Sequence, residues 1–233
     1  VCIGPDGAIY VADWFDARVG GHGTRDVGQT GAIYRIVPKG AKLSIPTFDF
    51  NTIAGQIKAL QNPSPNVREI GRSRLERAGK KAIAAVRQLL NHSNEFIQGR
   101  AIWLLAKLGS DGLKIVESQL DNQNPKIRVC AFRALRHENH RMLEHAGKMA
   151  KDSSPLVRGE VALAMRYVPF ENARDILLEI AKRYDGQDRY YVEAFGIGCT
   201  DKEEKIYSLL MKSMGAKNFD PKYAGLVWRL HRS

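Results

Sequence analysis

Three groups of side chains in this sequence have the types to do chemistry. His137, His140 and His145, interleaved with Glu138 and Glu144, form the one histidine cluster. Imidazole with carboxylate is a ligand set for transition metals. Spacings of three and five do not put all three imidazoles on one helical face, and a turn is expected among them, so no metal site is expected. Asp13, Asp16, Arg18 and His22 share a loop with Gly20, Gly21, Gly23 and Gly28. That mixture can hold a polar substrate, a quinone carboxylate or a cation. It equally suits a connecting loop in which Asp13 satisfies backbone N–H groups, and the connecting role is the one expected. Arg68, Arg128 and Arg158 recur thirty residues apart, with Gln98 breaking the series. A row of guanidinium groups can hold a polyanion. It can also bind carbonyls or carboxylates between neighbouring units, and this second role is expected, because arginine suits such bridges. No nucleophile elbow, Walker loop or dinucleotide fingerprint is present. No catalytic, cofactor-binding or metal residue is therefore assigned, and Asp13, Asp16, Arg18 and His22 stand as the candidates should the loop bind a ligand.

The elements that must carry these residues come in two styles. Residues 1–40 read as β: a turn at Gly4-Pro5-Asp6-Gly7, a strand over Ala8–Asp13, the polar loop, then a strand over Gly31–Val37 closed by Pro38-Lys39-Gly40. The echo between Gly7-Ala8-Ile9-Tyr10 and Gly31-Ala32-Ile33-Tyr34 suggests paired strands of a propeller blade. One such pair leaves its edges open and needs a second layer. Residues 41–54 read as a linker. From residue 55 to 233 the pattern is helical and repeats every thirty residues: Pro65-Asn66-Val67-Arg68, Glu95-Phe96-Ile97-Gln98, Pro125-Lys126-Ile127-Arg128, Pro155-Leu156-Val157-Arg158. Leu60, Leu90, Leu120 and Ala150 keep the step, as do Leu75, Leu105, Leu135 and Met165. A fifth unit follows after a slip of three, at Asp188-Arg189-Tyr190-Tyr191, with Glu193 matching Glu160.

Each unit reads as a helical hairpin. Ile83, Val86, Leu89 and Leu90 share a face of a first helix; Asn91-His92-Ser93-Asn94 makes the turn; Ile97, Ala101, Leu104, Leu105 and Leu108 face inward on a second helix. Trp103, Phe132 and Met165 are also placed in the core. Two short helices cannot bury their faces alone, whereas stacked hairpins share one continuous core. The fold expected is mainly α: an α-solenoid of short, thirty-residue HEAT-like repeats preceded by a small β element.

Composition fits this picture. The chain has 233 residues, 44% hydrophobic and 26% charged, which excludes bulk disorder. No apolar run approaches the roughly 18 residues of a membrane span. The three cysteines, Cys2, Cys130 and Cys199, are too few and too scattered for a disulfide framework or a zinc site, and no C-x-x-C-H marks a covalently held haem. The net charge of +11 is uneven: residues 1–50 are neutral, residues 51–150 carry seventeen basic against eight acidic groups, and residues 151–233 carry fourteen against twelve.

The run Asp13-Trp14-Phe15-Asp16-Ala17-Arg18-Val19-Gly20-Gly21-His22, with Gly31–Gly40, resembles the last propeller blade of large bacterial proteins described as membrane-bound dehydrogenases. Those have a propeller similar to quinoprotein sugar dehydrogenases, then HEAT-like repeats, commonly followed by cytochrome c. Ile57–Pro63, Arg100–Gly109 and Tyr223–His231 resemble segments of their repeat region. The resemblance implies a parent that is periplasmic or exported, with quinone, calcium and haem c as its possible cofactors. The chain itself reads as a piece of such a protein, lacking most of the propeller and the cytochrome, and is expected to hold no cofactor and to perform no catalysis alone. Its partners are expected to be proteins or neighbouring domains, without membrane insertion. Two alternatives stay open: a wall of a quinone-dependent sugar or alcohol dehydrogenase, and a basic HEAT-like nucleic-acid binder. The neutral β segment and the fading of charge after residue 150 count against nucleic acid.

Overall fold

A computed structural model describes residues 1–13, 31–214 and 220–231, divided between two compact units, Val1–Leu89 and Leu90–Ser233. In the first unit Gly7 adopts φ 84°, a conformation open to glycine, and its N–H donates to Gly4 O at 3.0 Å. Asp6 Oδ1 accepts the Ala8 N–H at 3.1 Å, which fixes the turn. The turn joins β1 (Cys2–Ile3) to β2 (Ile9–Ala12), and β2 pairs antiparallel with β3 (Ile33–Ile36). Tyr10 lies opposite Arg35 and Val11 opposite Tyr34. β2 and β3 fall within the two strands the sequence predicts, whereas β1 has no signal there because two residues carry no period. Arg35 reaches across the ladder to the enclosed Asp6 carboxylate, Nη2 to Oδ2 at 2.6 Å, and this guanidinium holds the Asp6 carboxyl below its ordinary range. β3 is exposed along its whole length.

Helices begin two residues earlier than the linker boundary suggested. Thr52 is the N-cap of α1 (Ile53–Leu60), its Oγ1 accepting the Gly55 N–H at 3.2 Å. α2 (Pro65–Ala78) opens on Pro65, where the missing N–H has no cost. α1 and α2 form a hairpin, followed by α3 (Ile83–Gln88). Asn62 ties the hairpin to the β turn by donating to Pro5 O at 3.0 Å.

The second unit repeats the hairpin. Its second helices are α4 (Glu95–Lys107), α6 (Pro125–His137), α8 (Pro155–Ala164) and α10 (Arg189–Gly198), each packed on the next. Between them lie α5 (Ser110–Ser118), α7 (Met142–Met149) and α9 (Phe170–Lys182), and the unit closes with α11 (Glu203–Met214) and α12 (Ala224–His231). The chain is thus mainly α, an α-solenoid of helical hairpins preceded by a small sheet. Leu104, Leu105, Phe132, Leu135, Met165, Leu177 and Phe195 are buried and form its core. No helix of the described residues is long and apolar enough to cross a membrane.

Two expectations are corrected. Trp103 is not core: it is 38% exposed and meets the His137 ring edge-on at 5.6 Å. It stands about 150° round the helix from the middle of the stripe that Ala101, Leu104, Leu105 and Leu108 bury. The fifth unit slips by four residues, not three. The N-caps Asn94, Asn124 and Ser154 keep a step of 30, then Asp188 follows Ser154 by 34, its Oδ1 accepting the Tyr190 N–H at 2.8 Å. Buried Tyr191 and Phe195 accordingly take the places of Val157 and Val161. Glu193 is level with Gly159 rather than Glu160, and it binds Arg229 of α12 at 3.1 Å.

Candidate functional site

The glycine-rich loop is represented by Asp13 alone, since Asp16, Arg18 and His22 lie outside the described residues. Asp13 is exposed at the end of β2, and its backbone N–H donates to Ala32 O at 2.7 Å.

The arginine series is set by the hairpin turn. Each Arg stands four residues after the N-cap, so its side chain folds back over the preceding loop. Arg128 Nη1 donates to Asn122 O at 2.8 Å and Gln123 O at 3.1 Å. Arg158 Nη1 donates to Asp152 O at 2.8 Å and Ser153 O at 2.9 Å, and Arg68 Nη1 to Asn62 O at 3.2 Å and Pro63 O at 2.5 Å. Gln98 keeps half the pattern, Nε2 donating to His92 O at 2.5 Å. The remaining nitrogens reach onward. Arg128 grips Asp152 with Nε at 2.8 Å and Nη2 at 2.7 Å. Arg158 donates to Tyr191 Oη at 3.1 Å and Arg183 O at 3.0 Å, and Tyr191 in turn donates to Ile180 O at 2.7 Å. These guanidinium groups bracket loop to loop, and the 6% exposure of Arg158 leaves it no face for a polyanion.

The histidine cluster divides. His137 stays outside, against Glu138 at 2.9 Å and the Trp103 ring. Glu138 is held mainly by Lys107 at 2.6 Å. Burial works to raise the Glu138 pKa, but Lys107 and His137 outweigh it and lower it. His140, in the loop after α6, and His145, on α7, instead converge on Glu117 of α5. Glu117 Oε1 lies 3.1 Å from His140 Nε2 and 3.2 Å from His145 Nε2. Arg141 Nη1 approaches the same oxygen at 3.1 Å, while its Nε and Nη2 hold Glu144. Asn139 and Arg141 both take left-handed backbone, φ 52° and 46°, which turns the intervening His140 toward α5. Burial works to raise the Glu117 pKa, but the His140 hydrogen bond and the charges of His140, His145 and Arg141 win, and its carboxyl stays ionised below the ordinary range. His145 is 7% exposed, and burial pushes its pKa down despite the Glu117 charge, so its imidazole is neutral at pH 7.

Glu117 lies twenty residues before His137, beyond the reach of any pattern within residues 137–145. A signal existed. A step of thirty puts Glu117 level with Gly147, two residues from His145, so stacked first helices bring the two together.

A further feature is exposed. Phe96, Leu156 and Tyr190 are the second residues of α4, α8 and α10, and they are 71%, 52% and 86% exposed. Lys126 holds the same place on α6 and reaches Glu95 at 3.0 Å. The successive helix openings therefore carry apolar side chains in solvent, with Lys126 and the exposed Arg189 among them.

No protein-family model and no curated protein matches the chain. Among solved structures it is similar to two engineered proteins, each 14% identical over 77% of this chain and 96% or 97% of theirs, with TM-scores of 0.38 and 0.41. It is also similar to a designed armadillo repeat protein, 12% identical over 77% of this chain and all of that one, with a TM-score of 0.39.

Proposed function

We propose that the chain is a repeat scaffold that docks a protein partner along the openings of its second helices. The observation that carries this reading is the exposed row Phe96, Leu156 and Tyr190. Apolar side chains at one repeated position, standing in water, have no role in the hairpin core, which Leu105, Leu135 and Met165 already fill. Aromatic anchors are the residues that interfaces reuse as centres of binding energy. Arg189, exposed next to Tyr190, favours a partner segment with apolar anchors and an acidic residue beside them.

The test is site-specific photo-crosslinking. A photoreactive phenylalanine analogue is placed in turn at positions 96, 156 and 190, and at the exposed Lys114 on α5 as control. The reading expects one common partner from the three row positions and none from position 114. Absence of row-specific products, or the same products from position 114, contradicts it.

The larger protein around this scaffold is a second part of the proposal. Its support is the resemblance of residues 13–22 and 31–40 to a terminal propeller blade, together with the solvent-facing β3 strand, whose Ile33, Tyr34 and Ile36 lack a covering layer among the described residues. On this reading the parent is an exported propeller protein with quinone, calcium and haem c held elsewhere in its chain, and the repeats join its catalytic and electron-transfer parts. Sequencing the gene on either side tests it: further blades support it, and an unrelated neighbouring fold contradicts it.

A further inference from the structure

Glu117 Oε1 is approached by three nitrogens, and one of them is left unsatisfied. His145 Nε2 is buried and has no hydrogen-bond partner, although the carboxylate oxygen is 3.2 Å away. Either tautomer is unfavourable there, a stranded N–H or a lone pair facing a carboxylate. A cation between them removes the conflict. We infer that Glu117, His140 and His145 form a binding site for one divalent transition-metal ion of the zinc class, tying α5 to α7 across neighbouring repeats.

The donor set and the spacing agree with that ion. Two imidazole nitrogens and a carboxylate oxygen are borderline ligands suited to Zn²⁺ rather than to Mg²⁺ or Ca²⁺. One donor atom from each residue lies within 4.8 Å of the others. Ligands about 2.0–2.1 Å from a tetrahedral ion stand roughly 3.3–3.4 Å apart, close to the 3.1 and 3.2 Å between Oε1 and the two Nε2 atoms. Arg141 is the competing charge. It already holds Glu144 through two nitrogens, so it can release Oε1 and stay neutralised. Lys148 is paired with Asp121 at 2.6 Å and Lys107 with Glu138 at 2.6 Å. His140, with 28% of its side chain exposed, leaves a path from solvent, and three protein ligands leave one position for water.

The experiment titrates Zn²⁺ into tag-free, metal-stripped full-length chain against a chromophoric chelator, and repeats the titration with Co²⁺ to read coordination from its visible spectrum. His140→Ala removes a ligand on a half-exposed loop without opening the core, and Glu117→Gln keeps the shape of the carboxylate. His137→Ala is the control, a neighbouring imidazole that points elsewhere. Outer-sphere losses at metal sites cost about 10–100-fold, so loss of a ligand is expected to weaken Zn²⁺ at least about 100-fold. One ion per wild-type chain, that loss in both ligand variants, near-unchanged affinity in His137→Ala and a low-coordinate Co²⁺ spectrum support the site. Equal affinity in wild type and His140→Ala, or an equal loss in His137→Ala, overturns it. Circular dichroism of each variant shows that the fold is retained. Should Glu117→Gln fail to fold, the comparison of His140→Ala with His137→Ala decides alone.

Discussion

Arg128 and Asp152 form an ion pair with only 12% and 11% of their side chains exposed, and Asp152 Oδ1 also accepts the Ser154 N–H at 2.8 Å. Removing the guanidinium strands a carboxylate and two loop carbonyls at once. Breaking a buried pair from one side costs about 3–5 kcal/mol. Arg128→Ala is therefore expected to lose about 3 kcal/mol in urea unfolding, and a loss below about 0.5 kcal/mol shows that the bracket is ornamental. A pH dependence belongs to the same scale. His145 has a depressed folded pKa, so below its ordinary value of 6.5 the unfolded chain takes up a proton that the folded chain resists. Glu117 is also depressed, and its contribution is present above its ordinary value of 4.5 and lost as pH falls toward the folded pKa. Both terms run the same way but in different windows, His145 below its ordinary 6.5 and Glu117 only below its ordinary 4.5, so the slope between pH 7 and pH 5 belongs to His145. Metal-free protein should melt at progressively lower temperature from about pH 7 to pH 5, and His145→Phe should flatten that slope. An unchanged slope contradicts the burial argument.

At the scale of elements, stability resides in hairpin stacking. Leu105 and Leu135 are fully buried on α4 and α6, and truncating either to Ala should cost about 2–5 kcal/mol. α8 and α10 cross so closely that a Cβ on Gly198 would stand 2.3 Å from Ala162 O and 3.2 Å from Leu177 Cδ2. Gly198→Ala should destabilise by about 1–3 kcal/mol through overpacking, read as an earlier urea midpoint; a gain in stability, as expected for Ala in an open helix, contradicts the crossing. The period was legible in the sequence because each turn needs the same devices: a cap at Asn94 or Asn124, Pro at a helix opening, and an arginine to close the carbonyls. Where a device changed, legibility failed. Asp188 replaces a Ser or Asn cap after a longer loop, and the true register lies one residue from the one the sequence motif suggests. Hydrophobicity alone places Trp103 in the core, but its helical angle points outward. The Glu117 contact joins helices of different repeats, and reading residues 137–145 by themselves could not reach it.

For the whole molecule, the +11 charge and the repeat fold pose one question, which partner the scaffold takes. Pairing leaves the net charge in place but holds several of these side chains: Arg128, Arg133, Arg136 and Arg141 face carboxylates, and Arg158 faces carbonyls and a tyrosine, so these arginines are not free to track a phosphate backbone. Binding to duplex DNA should accordingly be weak and vanish between about 50 and 200 mM salt, as phosphate-only contacts do; a sequence-specific complex surviving that range contradicts the protein-docking account. The most direct measurement follows from crosslinking. The partner captured at position 96, 156 or 190 is titrated, by calorimetry, with the wild-type chain and with a triple variant, Phe96→Ser, Leu156→Ser and Tyr190→Ser. These side chains are exposed, so the melting temperature should stay the same. Anchors worth about 1–2 kcal/mol each should together weaken binding at least about 100-fold. Unchanged affinity in the triple variant would show that the scaffold's docking edge lies elsewhere.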